Sequence, residues 1–201
     1  MSAAASYHHG NLRAELLGAA ERALGEVGAD GLSLRALARE LGVSHAAPAK
    51  HFADRRALLD ALAVEGFARL SAGFRVIAAA RATPVRDRLR ALVASYLAFA
   101  QENPALLALM FAHKTESDVE ASADVLVAGR EAMALTVALV AEGQSAGEIV
   151  EGDPARIATV AFATVHGIAT LGSGGLLDGE PTGGVADAAL ALLWEGIAAR
   201  G

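Results

Sequence analysis

Six residues in one short stretch have the side chains and spacing to do recognition chemistry: Ser44, His45, Ala46, Ala47, Lys50 and His51. If this stretch is helical, they lie on its outward side. They offer a hydroxyl, two imidazoles and an ammonium beside two small apolar groups, a mixture suited to base edges and phosphates in a DNA groove. Val43, Pro48 and Phe52 are apolar and can seal the underside. Just upstream, Ser33 can cap a helix in which Leu34, Leu37, Ala38 and Leu41 recur at helical spacing and share a buried face. Gly42 can take the left-handed conformation that ends a helix, and Ser44 is a fresh N-cap for the next. The pattern is helix, sharp turn, helix over about 33–52, and Ala38 is small where the two helices must cross. Pro48, in a helix capped by Ser44, removes only the first intrahelical hydrogen bond.

Other helices must position that pair. Asn11 can cap a first helix with Leu12, Leu16, Ala20, Ala23, Leu24 and Val27 on one apolar face, closed by Gly28. Asp54 can cap a fourth helix through Leu58, Leu59, Leu62 and Phe67 towards Phe74. After a break at Thr83-Pro84, longer helical patterns follow over 85–102, 104–113, 119–145, 154–171 and 185–200. Sustained alternation of the kind that makes strands is absent. The expected fold is all-α, with residues 1–70 as a helix-turn-helix domain and 71–201 as a second helical domain.

Composition narrows the classes. The chain has 201 residues, 54% of them hydrophobic and 20% charged, enough to bury a sizeable core. The lack of cysteine excludes disulfides and thiolate metal sites and fits a reducing cytoplasm. The first residues lack the basic flank and apolar core of a signal peptide. Residues 157–177 carry no formal charge and are long enough to cross a bilayer. Their spread of Thr159, Thr164, His166 and Thr170, and the glycines from Gly172 to Gly175, favour a helix buried in the protein or between subunits, and no membrane partner is expected. The net charge of −6 is uneven. Up to Leu70, Arg13, Arg22, Arg35, Arg39, Lys50, Arg55, Arg56 and Arg69 are matched one for one by acids, so the excess acid lies beyond. That is a weak electrostatic footprint for nucleic acid, strengthened only if His8, His9, His45 and His51 are partly protonated.

With these motifs in view, the chain resembles the TetR/AcrR-type transcriptional regulators. YHHGNLR, GLSLRALARELGVSHAAP and HFADRRALLDAL, within Tyr7 to Leu70, match that family's DNA-binding domain in order and spacing. Weaker matches are Asn103-Pro104 through Met110-Phe111, and FATVHG at 162–167, which is similar to the WHG-type C-terminal ligand and dimerisation domain, with Phe162 where that subgroup usually has Trp. The resemblance implies that Ser44 to His51 enters the major groove of a palindromic double-stranded DNA operator. It implies that Ser33 and Arg35 approach phosphates, that His45, Ala46 and Ala47 lie nearest base edges, and that Lys50, His51 and Arg55 grip the backbone. The family usually has Tyr where this chain has Ala49, which implies a lost phosphate contact. The helical body is implied to bind an unknown small-molecule effector and to form a homodimer.

Each of these residues also has a plainer explanation. Lys50, one of two lysines in the chain, can be a solvated surface cation. His51 can be a partly buried histidine satisfied by a backbone carbonyl. Arg55, a cation in a helix's first turn that a phosphate there would explain, can also be a chance surface placement. His113 and His166 can meet in a pocket with Tyr96, Phe99, Met110, Phe111, Met133 and Phe162, yet aromatics and methionine at helical spacing are also ordinary core. His8-His9 has no third ligand at metal spacing, so no metal or cofactor is expected. Signatures of catalysis are missing: no phosphate loop, HExxH pair, nucleophile elbow or cysteine nucleophile. The sequence reading is a ligand-responsive, cytoplasmic, DNA-binding repressor and not an enzyme. The alternatives are a ligand sensor that no longer binds DNA and a helical-bundle enzyme.

Overall fold

The computed structural model describes residues 12–112 and 122–198. The expected cap Asn11, the pair His8-His9 and the candidate pocket residue His113 lie outside these. Among the described residues there are eight α-helices: α1 (Leu12–Gly31), α2 (Leu34–Glu40), α3 (Arg55–Ala79), α4 (Val85–Glu102), α5 (Pro104–Met110), α6 (Ala123–Ser145), α7 (Pro154–Ser173) and α8 (Thr182–Ile197), with a 3-10 turn at Pro48–Lys50. Among the described residues there is no strand, only an isolated bridge between Ile149 and Ala198. The chain divides into two compact units. One contains the described residues through Glu65 and those of Ala105–Val125, and the other those of Gly66–Pro104 and Leu126–Gly201.

In the first unit α1 packs on α2, and both pack on the 3-10 turn. The apolar face of α1 buries Leu16, Leu17, Ala20 and Leu24, while Val27 lies exposed. The helix does not stop at Gly28 as expected. That residue takes φ 69° and ψ 175°, a kink that glycine tolerates, and a further turn runs to Gly31. Ser33 occupies the N-cap position of α2 with extended backbone, but its side chain accepts no capping hydrogen bond. The end of α2 is closed by Gly42 at φ 65°. Val43 N–H donates to the Ala38 carbonyl (2.9 Å) and Gly42 N–H to that of Arg39 (3.2 Å), the paired bonds of a Schellman ending.

The second helix of the pair departs from the sequence expectation. Residues 44–52 make a turn and a single 3-10 turn rather than an α-helix. Pro48 explains why. The Ser44 carbonyl would take its α-helical bond from the N–H at position 48, which proline lacks, and it accepts instead from Ala47 N–H at 2.9 Å. His51 N–H then bonds the Pro48 carbonyl (2.9 Å), and Phe52 N–H shares that acceptor (3.0 Å). Pro48 and Phe52 are buried beneath the turn. Asp54 caps α3 through Ala57 N–H at 2.8 Å. α3 continues to Ala79, beyond the expected end near Phe74.

In the second unit α4 packs on α7 and α8, and α7 packs on α8. Leu92, Tyr96, Leu139, Val140, Ile149 and Val165 are buried there. Asp153 caps α7 by accepting from Ala155 N–H (2.9 Å), with Pro154 at the first helical position, where a missing N–H costs nothing. The end of α8 is pinned by Val150 N–H on the Ile197 carbonyl at 2.7 Å.

Candidate nucleic-acid interface and ligand cavity

The tight ending at Gly42 and the plug of Pro48 and Phe52 present the intervening turn to solvent. Ser44, His45, Ala46, Ala49, Lys50 and His51 are exposed and Ala47 is half-buried. Ser33 and Arg35, from the start of α2, are exposed as well. The His51 imidazole is exposed and makes no hydrogen bond to a backbone carbonyl, so burial is not what places it there. The turn therefore carries polar donors around small side chains, without an α-helical scaffold of its own.

Charge over residues 1–70 is neutral only in total. Arg22 pairs with Glu40 at 2.9 Å, Arg55 with Asp30 at 2.9 Å and Arg56 with Asp60 at 3.6 Å. Among the described residues the side chains of Arg35, Arg39 and Lys50 have neither an ion pair nor a hydrogen bond. The positive charge left without a carboxylate sits on α2, on the exposed turn and on Arg13 of α1, whose guanidinium lies 5.4 Å from the centre of the Phe52 ring. Sequence reasoning passed over Arg39. Its signal was the four-residue spacing from Arg35, which places both guanidinium groups on one exposed helix side.

Arg55 has different partners from those expected. Its Nε and Nη2 donate to the Ala29 carbonyl at 3.1 and 2.6 Å, and Nη2 also reaches Asp30 Oδ1. The last carbonyls of a helix lack intrahelical donors, and the kink at Gly28 adds to that deficit, so a guanidinium there stabilises the end of α1. That contact accounts for a cation in the first turn of α3 without a phosphate.

The second unit contains a cavity of about 410 Å3, within the range of small-molecule sites. Of the expected pocket residues, Tyr96 and Phe162 line it, whereas Phe99, Met133 and His166 do not. Met110 and Phe111 belong to the other unit. Phe99 lies under the Arg69 guanidinium, 5.9 Å from its ring centre. His166 stands behind the wall, with Nδ1 2.6 Å from the Tyr96 hydroxyl and its ring stacked on Phe162 at 5.5 Å. Burial pushes the Tyr96 phenol well above its ordinary range, so it keeps its proton at neutral pH. Composition did not point to Arg86, Arg90, Asp187 and Trp194, which also line the cavity. A signal was present in Arg86 and Arg90, one helical turn apart and alternating with Leu89 and Val93.

Residues 16–62 match the bacterial regulatory proteins of the tetR family, and residues 89–194 match the tetracyclin repressor-like C-terminal domain. The tetracycline repressor proteins of class D from Escherichia coli and class H from Photobacterium damsela subsp. piscicida are each 47% identical to the chain over 57 residues. That match spans 28% of this chain and 26% of each repressor. Among solved structures, a protein of unknown function from Rhodococcus sp. RHA1 is 52% identical, with 97% of this chain and 100% of that one covered and a TM-score of 0.87. The transcriptional regulator FadR from Bacillus subtilis, solved with stearoyl-CoA, shares the fold at 17% identity, with 92% and 98% of the chains covered and a TM-score of 0.77. A TetR/AcrR-family regulator from Thermobifida fusca YX-ER1 does so at 23% identity, with 92% and 98% covered and a TM-score of 0.69. The chain belongs to the tetR family of bacterial regulatory proteins.

Proposed function

We propose that this protein is a cytoplasmic, homodimeric transcriptional repressor that binds a palindromic DNA operator and is released from it by a small-molecule effector. The observation that carries the reading is the set of cations left without partners, Arg35, Arg39 and Lys50, on the two elements that flank the Gly42 turn. Such groups release counterions from phosphates, and the small side chains Ala46 and Ala47 let the turn approach base edges. Lys50, Arg35, Ser33 and His51 are the backbone contacts in this reading, and Ser44, His45, Ala46 and Ala47 the base-facing ones. Arg55 acts through the fold of the unit.

A second copy is supported by α7. It is long and apolar enough to cross a membrane by length and composition, yet only 22% of its apolar window is buried within the chain. Val160 on α7 and Leu192 on α8 are 53% and 71% exposed. Pairing of these helices across a two-fold axis covers that surface and gives the two reading turns a palindromic operator requires. The cavity supplies the switch: an effector that prefers the conformation unfit for DNA lowers operator affinity by the ratio of its affinities for the two states.

The test is fluorescence anisotropy of the full-length protein with DNA flanking its own gene, at about 50 and 200 mM salt. Retention of one fragment over random DNA at the higher salt supports the reading. Equal, weak binding to every fragment supports a ligand sensor without an operator.

A further inference from the structure

The effector cavity has polar groups of two kinds, and they differ in what they leave available. Tyr96 is only 2% exposed and its hydroxyl is held by His166, so its ring offers an apolar surface beside Phe74, Phe162 and Val165. Arg86, Asp87, Arg90 and Asp187 are instead solvent-exposed parts of the same wall. Arg90 Nη2 donates to Asp187 Oδ1 at 3.0 Å, a single-pronged pair between α4 and α8. An exposed pair of this kind contributes little and exchanges readily. Arg86 has no carboxylate partner among the described residues, and its guanidinium lies 5.4 Å from the centre of the Trp194 ring.

These charges favour an anionic head group over a cationic one. A cation that took Arg90's place at Asp187 would share the wall with the guanidinium groups of both Arg86 and Arg90, whereas Asp87 lies in the first turn of α4, where the helix end offsets its charge. A carboxylate needs only to replace Asp187, and a guanidinium can hold its two oxygens side by side.

The geometry points to an amphipathic monoanion as the effector, with an apolar body against Phe74, Tyr96 and Phe162 and a carboxylate-type head that displaces Asp187 from Arg90 with help from Arg86. This inference rests on the reading of the cavity as the effector site. Binding would break one of the two polar links from α4 to α8 and engage the other, which gives the ligand a differential hold on the packing of those helices.

Trp194 is the single tryptophan of the chain and lines the cavity, so its fluorescence reports occupancy directly. The experiment titrates dodecanoate, dodecan-1-ol and dodecylammonium into full-length protein and into its Arg90→Gln and Asp187→Asn variants. Dodecanoate should bind wild type about tenfold more tightly than the alcohol, the strength of a charge-assisted contact. Arg90→Gln should remove that advantage, Asp187→Asn should increase it, and neither should alter binding of the alcohol. Equal binding of acid and alcohol in all three proteins, or tighter binding of the ammonium, overturns the head-group assignment and leaves the cavity as an effector site. No response of Trp194 to any of the probes overturns both.

Discussion

Arg88 and Glu142 form a two-pronged ion pair, with Nη2 2.5 Å from Oε1 and Nη1 3.2 Å from Oε2. Arg88 is 3% exposed, and its other bonds go to the carbonyls of Ala78 (Nη1, 3.1 Å) and Thr83 (Nε, 3.0 Å). One side chain thus ties the end of α3 and the turn before α4 to α6, and Arg81 joins Glu142 from outside at 3.2 Å. Removing Arg88 leaves the Ala78 and Thr83 carbonyls without this donor and leaves Glu142 only the outer contact from Arg81.

Arg88→Met should therefore destabilise the protein by about 2 kcal/mol or more, since each stranded acceptor costs roughly 1–3 kcal/mol. The Arg88 hydrogen bond holds the Glu142 carboxyl below its ordinary value of 4.5, so the stabilisation from its charge is present above that pH. It is lost as pH falls through the lower folded value. Urea unfolding of wild type should show stability dropping on the acid side of about pH 4.5, and Glu142→Gln should flatten part of that drop.

Arg55→Ala should act on folding and leave ionic recognition of DNA nearly unchanged. Loss of a charged donor to the Ala29 carbonyl should cost about 1.5–3 kcal/mol. The check is a thermal melt beside a salt titration of DNA binding. A normal melt together with a flattened salt dependence would return Arg55 to the set of phosphate contacts.

Assembly is tested where the chain leaves space. A side chain at Gly167 would meet nothing within 4 Å in the same chain, and Val160 and Leu192 face outward. Gly167→Leu, Val160→Asp and Leu192→Asp should fold but sediment as monomers at micromolar concentration, where wild type sediments as a dimer. A monomeric wild type would remove the two-fold interface.

The sequence made the element order, the Gly42 turn and the Asp54 cap legible, because each depends on residues within a few positions of one another. Where local rules met a competing constraint, they failed. Ser44 looked like a helix cap, but Pro48 takes away the donor its carbonyl needs, and the segment tightens into a 3-10 turn. Arg55 looked unpaired because its partner is a carbonyl 26 positions upstream, beside a kink that no local pattern announces. Tyr96 and Phe162 were legible as neighbours of His166 from their helical spacing and chemistry. Met110 and Phe111 are of the same chemical kind but fold into the other unit, and Trp194 reaches the cavity from a C-terminal helix whose local pattern shows only helical periodicity.

The central claim is that the exposed turn after Gly42 binds DNA through Lys50 in each copy of a dimer. The most direct test measures the affinity of wild type and Lys50→Ala for one operator fragment across a salt series. The account predicts a log–log slope shallower in the variant by about two, close to one for each lost phosphate contact. Identical slopes and affinities for the two proteins would contradict it.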